Sequence, residues 1–353
     1  MATHDSDISI DITLGPAPSP SAGYRLLILV PLATNSLDGD AFRAYATIEQ
    51  AQADATATEI ATTTRDRVIV ALSQTPRPDL VYVGAVDLVG TETYPDALAR
   101  MEATLRDNFF GVVIESRDAA VIAAVGAAVE TAGRRLFAFV SSAADWLAGD
   151  VPSGLSSIEG NDRSAAVYHD VATAYPDVAF LARLLATDPA ILSARGPGTM
   201  AGTAALSTDI TEAQRLLLTT IANVGQPFGT SPNYLSPGIA LSGRPVSELV
   251  TLEWTRRTLK ALIIAQSLQL APAKWPISSR GVALLETILG TVAEQGVAAQ
   301  HFVPGEVKYK VFAPTSADRA AFRLRGEFKA QVLSHAIKFT VSGLLDRDPV
   351  VEA

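Results

Sequence analysis

Polar side chains that could carry acid–base or nucleophilic chemistry stand at the ends of several apolar runs that predict buried strands. They are Asp87, Glu115, Ser141, Ser142 and the pair His169-Asp170. Ligands of open parallel sheets bind beyond the carboxyl ends of the strands, so these residues could share one site. A serine, a histidine and carboxylates could support nucleophilic catalysis, but no Gly-x-Ser-x-Gly elbow is present. Polar residues at strand ends also cap the following helix. A soluble α/β enzyme or small-ligand-binding protein stays open as the alternative function.

Two other motifs give no support to cofactor or metal chemistry. The segment Gly196-Pro-Gly198-Thr-Met-Ala-Gly202 is similar to a dinucleotide loop, but it has one residue too many between its last glycines and no buried strand before it. We interpret it as a linker between domains. The chain has no cysteine, and its histidines lack the i,i+4 spacing of a helical metal pair. These histidines are His4, His169, His301 and His335. We therefore predict no catalytic, cofactor-binding or metal site.

Length and charge restrict the class of protein. The 353 residues are enough for about two domains with a substantial core. A balance of 28 basic against 37 acidic residues gives a net charge of −9, the wrong sign for a nucleic-acid-binding protein. The apolar stretches at 24–33 and 259–271 are shorter than the roughly 18 residues that span a bilayer. The first twenty residues do not form a signal sequence. We expect a soluble protein made in a cytoplasm, with no direct membrane insertion.

The elements that would position such residues alternate between strand and helix. Continuous apolar runs that predict buried strands lie at residues 24–30, 80–86, 109–114, 136–141 and 165–168. Strands that are apolar on both faces and alternate with helices predict a parallel sheet covered by helices, an open α/β sandwich. Further predictions are a helix over 41–55, an irregular loop over the Gly- and Pro-rich residues 223–237, and one long helix or two joined helices over 246–270.

The amino-terminal residues show a different pattern. Residues 7–14 alternate strictly between polar and apolar, which predicts a strand with one buried face. Its apolar positions are Ile8, Ile10, Ile12 and Leu14. A Pro- and Gly-rich segment follows over residues 15–23 and predicts a stiff, extended tether. The tether residues are Gly15, Pro16, Pro18, Pro20 and Gly23. A lone strand needs a partner for its backbone groups, so it must pair with its own domain or with another chain.

The carboxyl-terminal residues repeat this pattern. Ile337, Phe339 and Val341 alternate with polar or small residues and predict another one-faced strand. A second alternating run precedes it, with a change of phase near Leu333-Ser334 that predicts a bulge, a kink or a turn. This strand too is either an ordinary terminal strand or one that joins the sheet of a neighbour.

The order of segments resembles the tail sheath proteins of contractile-tailed phages and related contractile injection machines. The first similar stretch is Tyr45-Ala-Thr-Ile-Glu-Gln-Ala-Gln-Ala-Asp54, followed by Pro76-Arg-Pro-Asp-Leu-Val-Tyr-Val-Gly84. The second joins Tyr94-Pro-Asp-Ala-Leu-Ala99 to Phe109-Phe-Gly-Val-Val-Ile-Glu-Ser116. The third runs through Lys310-Val-Phe-Ala-Pro314, Ala317-Asp-Arg319 and His335-Ala-Ile-Lys-Phe-Thr-Val341. The resemblance covers nearly the whole chain.

The resemblance implies open α/β sandwich lobes with N- and C-terminal β-strand arms that complete the sheets of neighbouring subunits. Ile8, Ile10, Ile12 and Leu14 would form one donated strand, and Ile337, Phe339 and Val341 the other. The tether would let joined domains rotate without releasing the strand. The implied organisation is an N-terminal arm and tether (1–23), an inner lobe (24–85 plus 196–330), a middle or outer α/β lobe (86–195) and a C-terminal strand arm (331–353).

The resemblance also implies the function. The chain would be a non-enzymatic, structural subunit that polymerises around a tail tube in stacked, hexameric rings and contracts to drive the tube through a host envelope. Its partners would be neighbouring sheath subunits, the tube protein, and the baseplate and terminator proteins. It would need no cofactor and no nucleic acid. It would be assembled in the bacterial cytoplasm and lie in a virion tail or a related contractile particle.

Overall fold

The structure is a computed structural model of the chain. It describes residues 7–11, 24–31, 37, 40–171, 174–187, 198–203, 206, 209–228, 231–236, 238–270, 276–320, 323–332 and 336–344. The chain divides into two compact units, each described by itself below. The large unit is Ser21–Leu249, and the small unit combines Met1–Pro20 with Val250–Ala353.

The strands and helices alternate along much of the chain. In the described residues the strands are β1 Asp7–Asp11, β2 Leu26–Pro31, β3 Phe42–Tyr45, β4 Val81–Val86, β5 Gly111–Ile114, β6 Leu136–Ser141, β7 Ser164–Tyr168, β8 Gly198–Thr199, β9 Asn223–Phe228, β10 Ser231–Ser236, β11 Phe302–Phe312, β12 Arg323–Val332 and β13 Ala336–Leu344. The α-helices there are α1 Ile48–Thr56, α2 Thr62–Leu72, α3 Tyr94–Leu105, α4 Ala119–Ala132, α5 Asp145–Ala148, α6 Pro176–Ala186, α7 Glu212–Leu218, α8 Val246–Leu270, α9 Ser279–Ala298 and α10 Ser316–Ala320.

The large unit is built on a mostly parallel sheet in the order β3-β4-β2-β5-β6-β7-β9-β10-β8. The neighbours from β4 to β9 are parallel, whereas β3, β10 and β8 join antiparallel to their neighbours. Every residue of β4, β5 and β7 is buried, because helices cover both faces of the sheet. Leu27 and Leu29 share a core with α3 and α4, while Gly111 approaches Leu185 of α6. The predicted α/β sheet flanked by helices is confirmed.

The small unit contains a four-stranded sheet in the order β1-β13-β12-β11. The three later strands are antiparallel, and β1 is parallel to β13. Residues of α8 and α9 form one apolar core with the sheet, which includes Leu259, Leu289, Phe302 and Phe328. β12 shows the alternation expected of a sheet with one face on a core, since its even-numbered residues are buried and its odd-numbered ones are half-buried or exposed.

The predicted lobe boundaries differ from the two compact units. Residues 24–85 and 86–195 contribute strands to a single sheet, so they are not separate bodies. The described part of the predicted linker, residues 198–202, does not join the two units, because β8 belongs to the large sheet and the boundary between the units falls inside α8. Which part of the chain would lie inward or outward in an assembly stays a prediction.

Two local predictions are wrong for identifiable reasons. The region 41–55 is not one helix: β3 occupies its start, and α1 begins only after Thr47, whose side chain accepts from the Gln50 amide in a capping box. The described residues of the predicted irregular loop at 223–237 form β9 and β10 instead. Pro227 and Pro232 lie at the register shift between these two strands, an irregularity of the kind where proline is tolerated.

Two glycines of α9 give a matched test of the packing in the small unit. A methyl group at Gly296 would overlap the Phe302 ring in the core, so we expect Gly296→Ala to lower the free energy of unfolding by about 1–3 kcal/mol. At Gly290 the nearest atom to a new methyl is the hydroxyl tip of the exposed Tyr309, at 2.9 Å, which can move aside. Gly290→Ala should therefore be neutral or gain up to about 1 kcal/mol. Urea unfolding followed by circular dichroism measures both, and equal losses would contradict this packing.

Candidate assembly interface

The strand-end residues predicted from the sequence lie along one edge of the large sheet. Four strands of that sheet, β4 to β7, run in the same direction. Each has a candidate residue as its last residue or directly after it: Asp87, Glu115, Ser141 and His169. Ser142 and Asp170 come directly after two of them. The structure thus brings this set to the common edge that the sequence predicts.

Three of these side chains are engaged in local turns. Asp87 Oδ1 accepts a hydrogen bond from the Gly90 amide at 2.8 Å. Ser141 Oγ accepts one from the Ala143 amide at 3.4 Å. The buried His169 accepts one at Nδ1 from the Val171 amide at 2.9 Å. Short polar side chains commonly bond to the backbone two or three residues on, so these contacts give each residue a structural role in the turn after its strand.

Glu115 belongs to a buried ionic cluster that fastens two helices to this edge. Its Oε1 accepts from Thr63 Oγ1 at 3.1 Å and lies 3.5 Å from Nη1 of the buried Arg67, both on α2. Next to it in sequence, Arg117 donates to the buried Asp177 of α6 at 2.8 Å. Two guanidinium groups and two carboxylates balance in charge. Ion pairs with little exposure are costly to break, so the cluster fixes the positions of α2 and α6.

The phenol of Tyr94, which lies near Glu115, is not suited to acid–base catalysis at neutral pH. Burial and the nearby Glu115 raise the pKa of Tyr94 to about 12, so this phenol stays protonated at neutral pH. A general acid or base works best with a pKa near the operating pH. In the part of the chain that the structure describes, no group of three His, Asp or Glu side chains could hold a metal ion. Among the described helices, none has both the length and the apolar character to cross a membrane.

The second candidate surface is the four-stranded sheet at the chain ends. In β12 the buried positions include Gly326, Phe328 and Ala330. The ladder places Val341 opposite Gly326, Phe339 opposite Phe328 and Ile337 opposite Ala330. The three predicted apolar residues of β13 therefore align with the buried positions of its neighbour. β12 and β13 are antiparallel, and the predicted change of phase at Leu333-Ser334 between them lies outside the described residues.

The amino-terminal strand continues this alignment. β1 lies beside β13, with Ile8 opposite Phe339 and Ile10 opposite Val341. β1 ends at Asp11, so the predicted strand residues Ile12 and Leu14 lie outside the described residues. The tether residues Gly15, Pro16, Pro18, Pro20 and Gly23 lie outside them as well. In the single chain present both terminal strands pair within it, and their donation to other chains stays a prediction.

A buried carboxylate anchors the start of β12. Asp318 accepts from the Thr315 hydroxyl at 2.7 Å, from Arg323 Nη2 at 2.9 Å and from Arg325 Nη2 at 2.9 Å. The hydrogen bonds from Thr315 and from the two guanidinium groups hold the pKa of Asp318 well below its ordinary value of 3.8. Thr315 and Asp318 also show the capping pattern of a helix start, which was visible in the sequence. The arginine partners were not, because they depend on how β12 packs.

Two solved structures are similar to this chain over nearly its whole length. A chain of the six-fold symmetrised cryo-electron-microscopy structure of the anti-feeding prophage baseplate has a TM-score of 0.59 at 15% identity, covering 94% of this chain and 95% of that chain. The crystal structure of a sheath tail protein from Listeria innocua has a TM-score of 0.62 at 9% identity, covering 92% of this chain and 96% of that chain. No protein-family model and no curated protein matches the sequence. At these identities the similarity shows a common fold, which is the fold that the sheath resemblance implies.

Removal of the charge on Asp318 should weaken the small unit in a pH-dependent way. Because folding lowers this pKa, the carboxylate stabilises the fold fully above the unfolded value of 3.8, and the stabilisation is lost as the pH falls through the lower folded value. We expect Asp318→Asn to lower the urea midpoint at pH 7 and to approach the wild-type midpoint at strongly acidic pH. The exposed Glu306 of β11 provides the control, because Glu306→Gln should change little at either pH. A constant deficit at all pH values would contradict the charge argument.

Proposed function

We propose that the chain is a structural subunit of a contractile tail sheath, and that it polymerises around a tail tube by strand exchange between copies. The observation that carries this proposal is the fold shared along 92% of this chain and 96% of a sheath tail protein. A similarity of this extent leaves no large part of the chain for an added catalytic domain. The role itself requires no catalytic residue.

The arrangement of the chain ends supports strand exchange. β1 belongs to the small unit, whereas residues 24–249 belong to the large unit. The nine tether residues 15–23 can span up to about 30 Å when extended, enough to carry β1 to the same position in an adjacent copy. Backbone hydrogen bonds and alternating apolar residues make an added strand a strong joint. Each copy would give a strand to one neighbour and receive one from another, which is a heterologous contact that builds rings or helical tubes.

The proposed assembly has stacked six-membered rings, with the tube protein inside and the baseplate and terminator proteins at its ends. The six-fold symmetrised baseplate structure that contains a chain of the same fold supports this symmetry. Contraction would draw its energy from new contacts between subunits and would drive the tube through a host envelope. Synthesis and assembly would take place in the bacterial cytoplasm, with the product in a virion tail or a related contractile particle.

Electron microscopy of the purified full-length chain tests the proposal, and two adjacent substitutions sharpen it. Wild-type protein should form hollow, striated tubes. Ile10→Lys places a charge at a position that aligns with apolar Val341, so it should abolish tubes. The free energy of unfolding of this variant, measured with urea, should differ from that of the wild type by no more than about 1 kcal/mol. Ser9→Lys adds the same charge at the alternate position, opposite Thr340, and should leave tubes intact. A uniform small oligomer of the wild-type chain under all conditions would contradict the proposal.

A further inference from the structure

We infer that rows of charged residues across the four-stranded sheet select the register in which β1 adds to β13. A row here is a set of residues that lie directly opposite one another on neighbouring strands. The row that carries this inference joins Asp7 of β1 to Lys338 of β13, Lys329 of β12 and Lys308 of β11. The inference rests on the proposed function, because the strand it concerns is residues 7–11 of a second copy of this chain.

The first row is strongly basic without β1. The ladders place Lys308 of β11 opposite Lys329 of β12, and Lys329 opposite Lys338 of β13. Lys308 and Lys329 are exposed, and Lys329 Nζ lies 3.1 Å from Glu327 Oε1 on its own strand, so one acid faces the three lysines of the row. Like charges directly opposite on neighbouring strands are unfavourable, and an opposite charge at the end of the row is favourable. The residue that β1 places beside Lys338 is Asp7.

The next two rows on this face complete a pattern. Ser9 aligns with Thr340, and Thr340 with Glu327 of β12, which lies opposite Lys310 of β11, so a neutral residue of β1 meets a row whose charges already balance. Asp11 aligns with Ser342, and Ser342 aligns with Arg325 of β12, which shares Asp318 with Arg323. The alternate residues Asp7, Ser9 and Asp11 therefore meet rows whose β12 members are basic, acidic and basic.

Apolar residues alone cannot choose this register. A slip of two residues keeps the alternation, because Ile8 would then align with Ile337 and Ile10 with Phe339. That slip moves Asp11 into the row of Glu327 and leaves Asp7 without a basic row. A slip of two residues in the other direction moves Asp7 into the row of Glu327. A slip of four brings Asp11 to Lys338 but takes Asp7 past the start of β13. The observed register places both acids in basic rows.

The spacing of the strands makes these charges effective at moderate salt. Neighbouring strands lie about 4.8 Å apart, so Asp7 is about 5 Å from the backbone of Lys338 and roughly 10 Å from that of Lys329. The screening length is about 10 Å at 0.1 M ionic strength and about 3 Å at 1 M. Register selection should therefore be strong at low salt and weak at 1 M salt.

Engineered disulfides can report the register directly, because the chain has no cysteine of its own. Ile8→Cys with Phe339→Cys reports the observed register, and Ile8→Cys with Ile337→Cys reports the two-residue slip. Aligned Cα atoms about 5 Å apart suit a disulfide, whereas a slip separates them to about 8 Å, which is too far. In the assembled full-length protein, the Ile8→Cys, Phe339→Cys pair should form its disulfide much faster than the Ile8→Cys, Ile337→Cys pair. Asp7→Lys should lower the ratio of the two disulfides about tenfold at low salt.

Two matched variants separate charge from other effects. Ser9→Lys introduces the same charge two residues away in a row with Glu327, and it should leave the ratio unchanged. Combining Asp7→Lys with Lys338→Asp should restore it. An Asp7→Lys ratio equal to that of wild type, or an equal loss in Ser9→Lys, would overturn the inference alone. If wild-type protein forms no polymer, and the Ile8→Cys, Phe339→Cys variant forms disulfides only within single chains on a denaturing gel, the proposed strand exchange is overturned and this inference with it.

Discussion

A β-strand of five residues is stable only where its backbone groups and its alternate side chains have partners, and this requirement governs both ends of the chain. β1 meets it at the edge of β13, and β13 meets it against β12, whose buried residues rest on α8 and α9. The small unit thus presents a sheet that the chain ends complete. The same hydrogen bonds would form if the ends came from other copies, and this equivalence makes the sheet suitable as a joint in a polymer.

The described polar groups at the carboxyl edge of the large sheet are used to hold the large unit together. Parallel strands buried on both faces leave little freedom in the sheet. The ionic cluster of Glu115, Arg67, Arg117 and Asp177 fastens helices at the edge where an α/β enzyme would hold its ligand. The turn contacts of Asp87, Ser141 and His169 occupy the same edge. The chemistry that the sequence offers is thus engaged in holding the fold together.

The sequence predicts elements well where local signals and burial agree. The predicted strand over residues 136–141 coincides with β6, since its continuous apolar run is buried in the sheet. Prediction fails where pairing comes from distant strands: β9 and β10 contain Pro and Gly and are recognisable only beside β7 and β8. The alternation of apolar and other residues was enough to place Ile337, Phe339 and Val341 on one face of a strand. The rows that join Lys308, Lys329 and Lys338 were not, because they depend on which strands are neighbours and in which register.

The central claim is that residues 7–11 of one copy lie beside β13 of another. The most direct measurement mixes two full-length chains, one carrying Ile8→Cys alone and the other Phe339→Cys alone, with tags of different size, before assembly and mild oxidation. The account predicts a disulfide-linked heterodimer in the polymer as the main cross-linked product, because aligned residues on exchanged strands lie within disulfide distance. Tubes that assemble normally from this mixture and yield no heterodimer would contradict it.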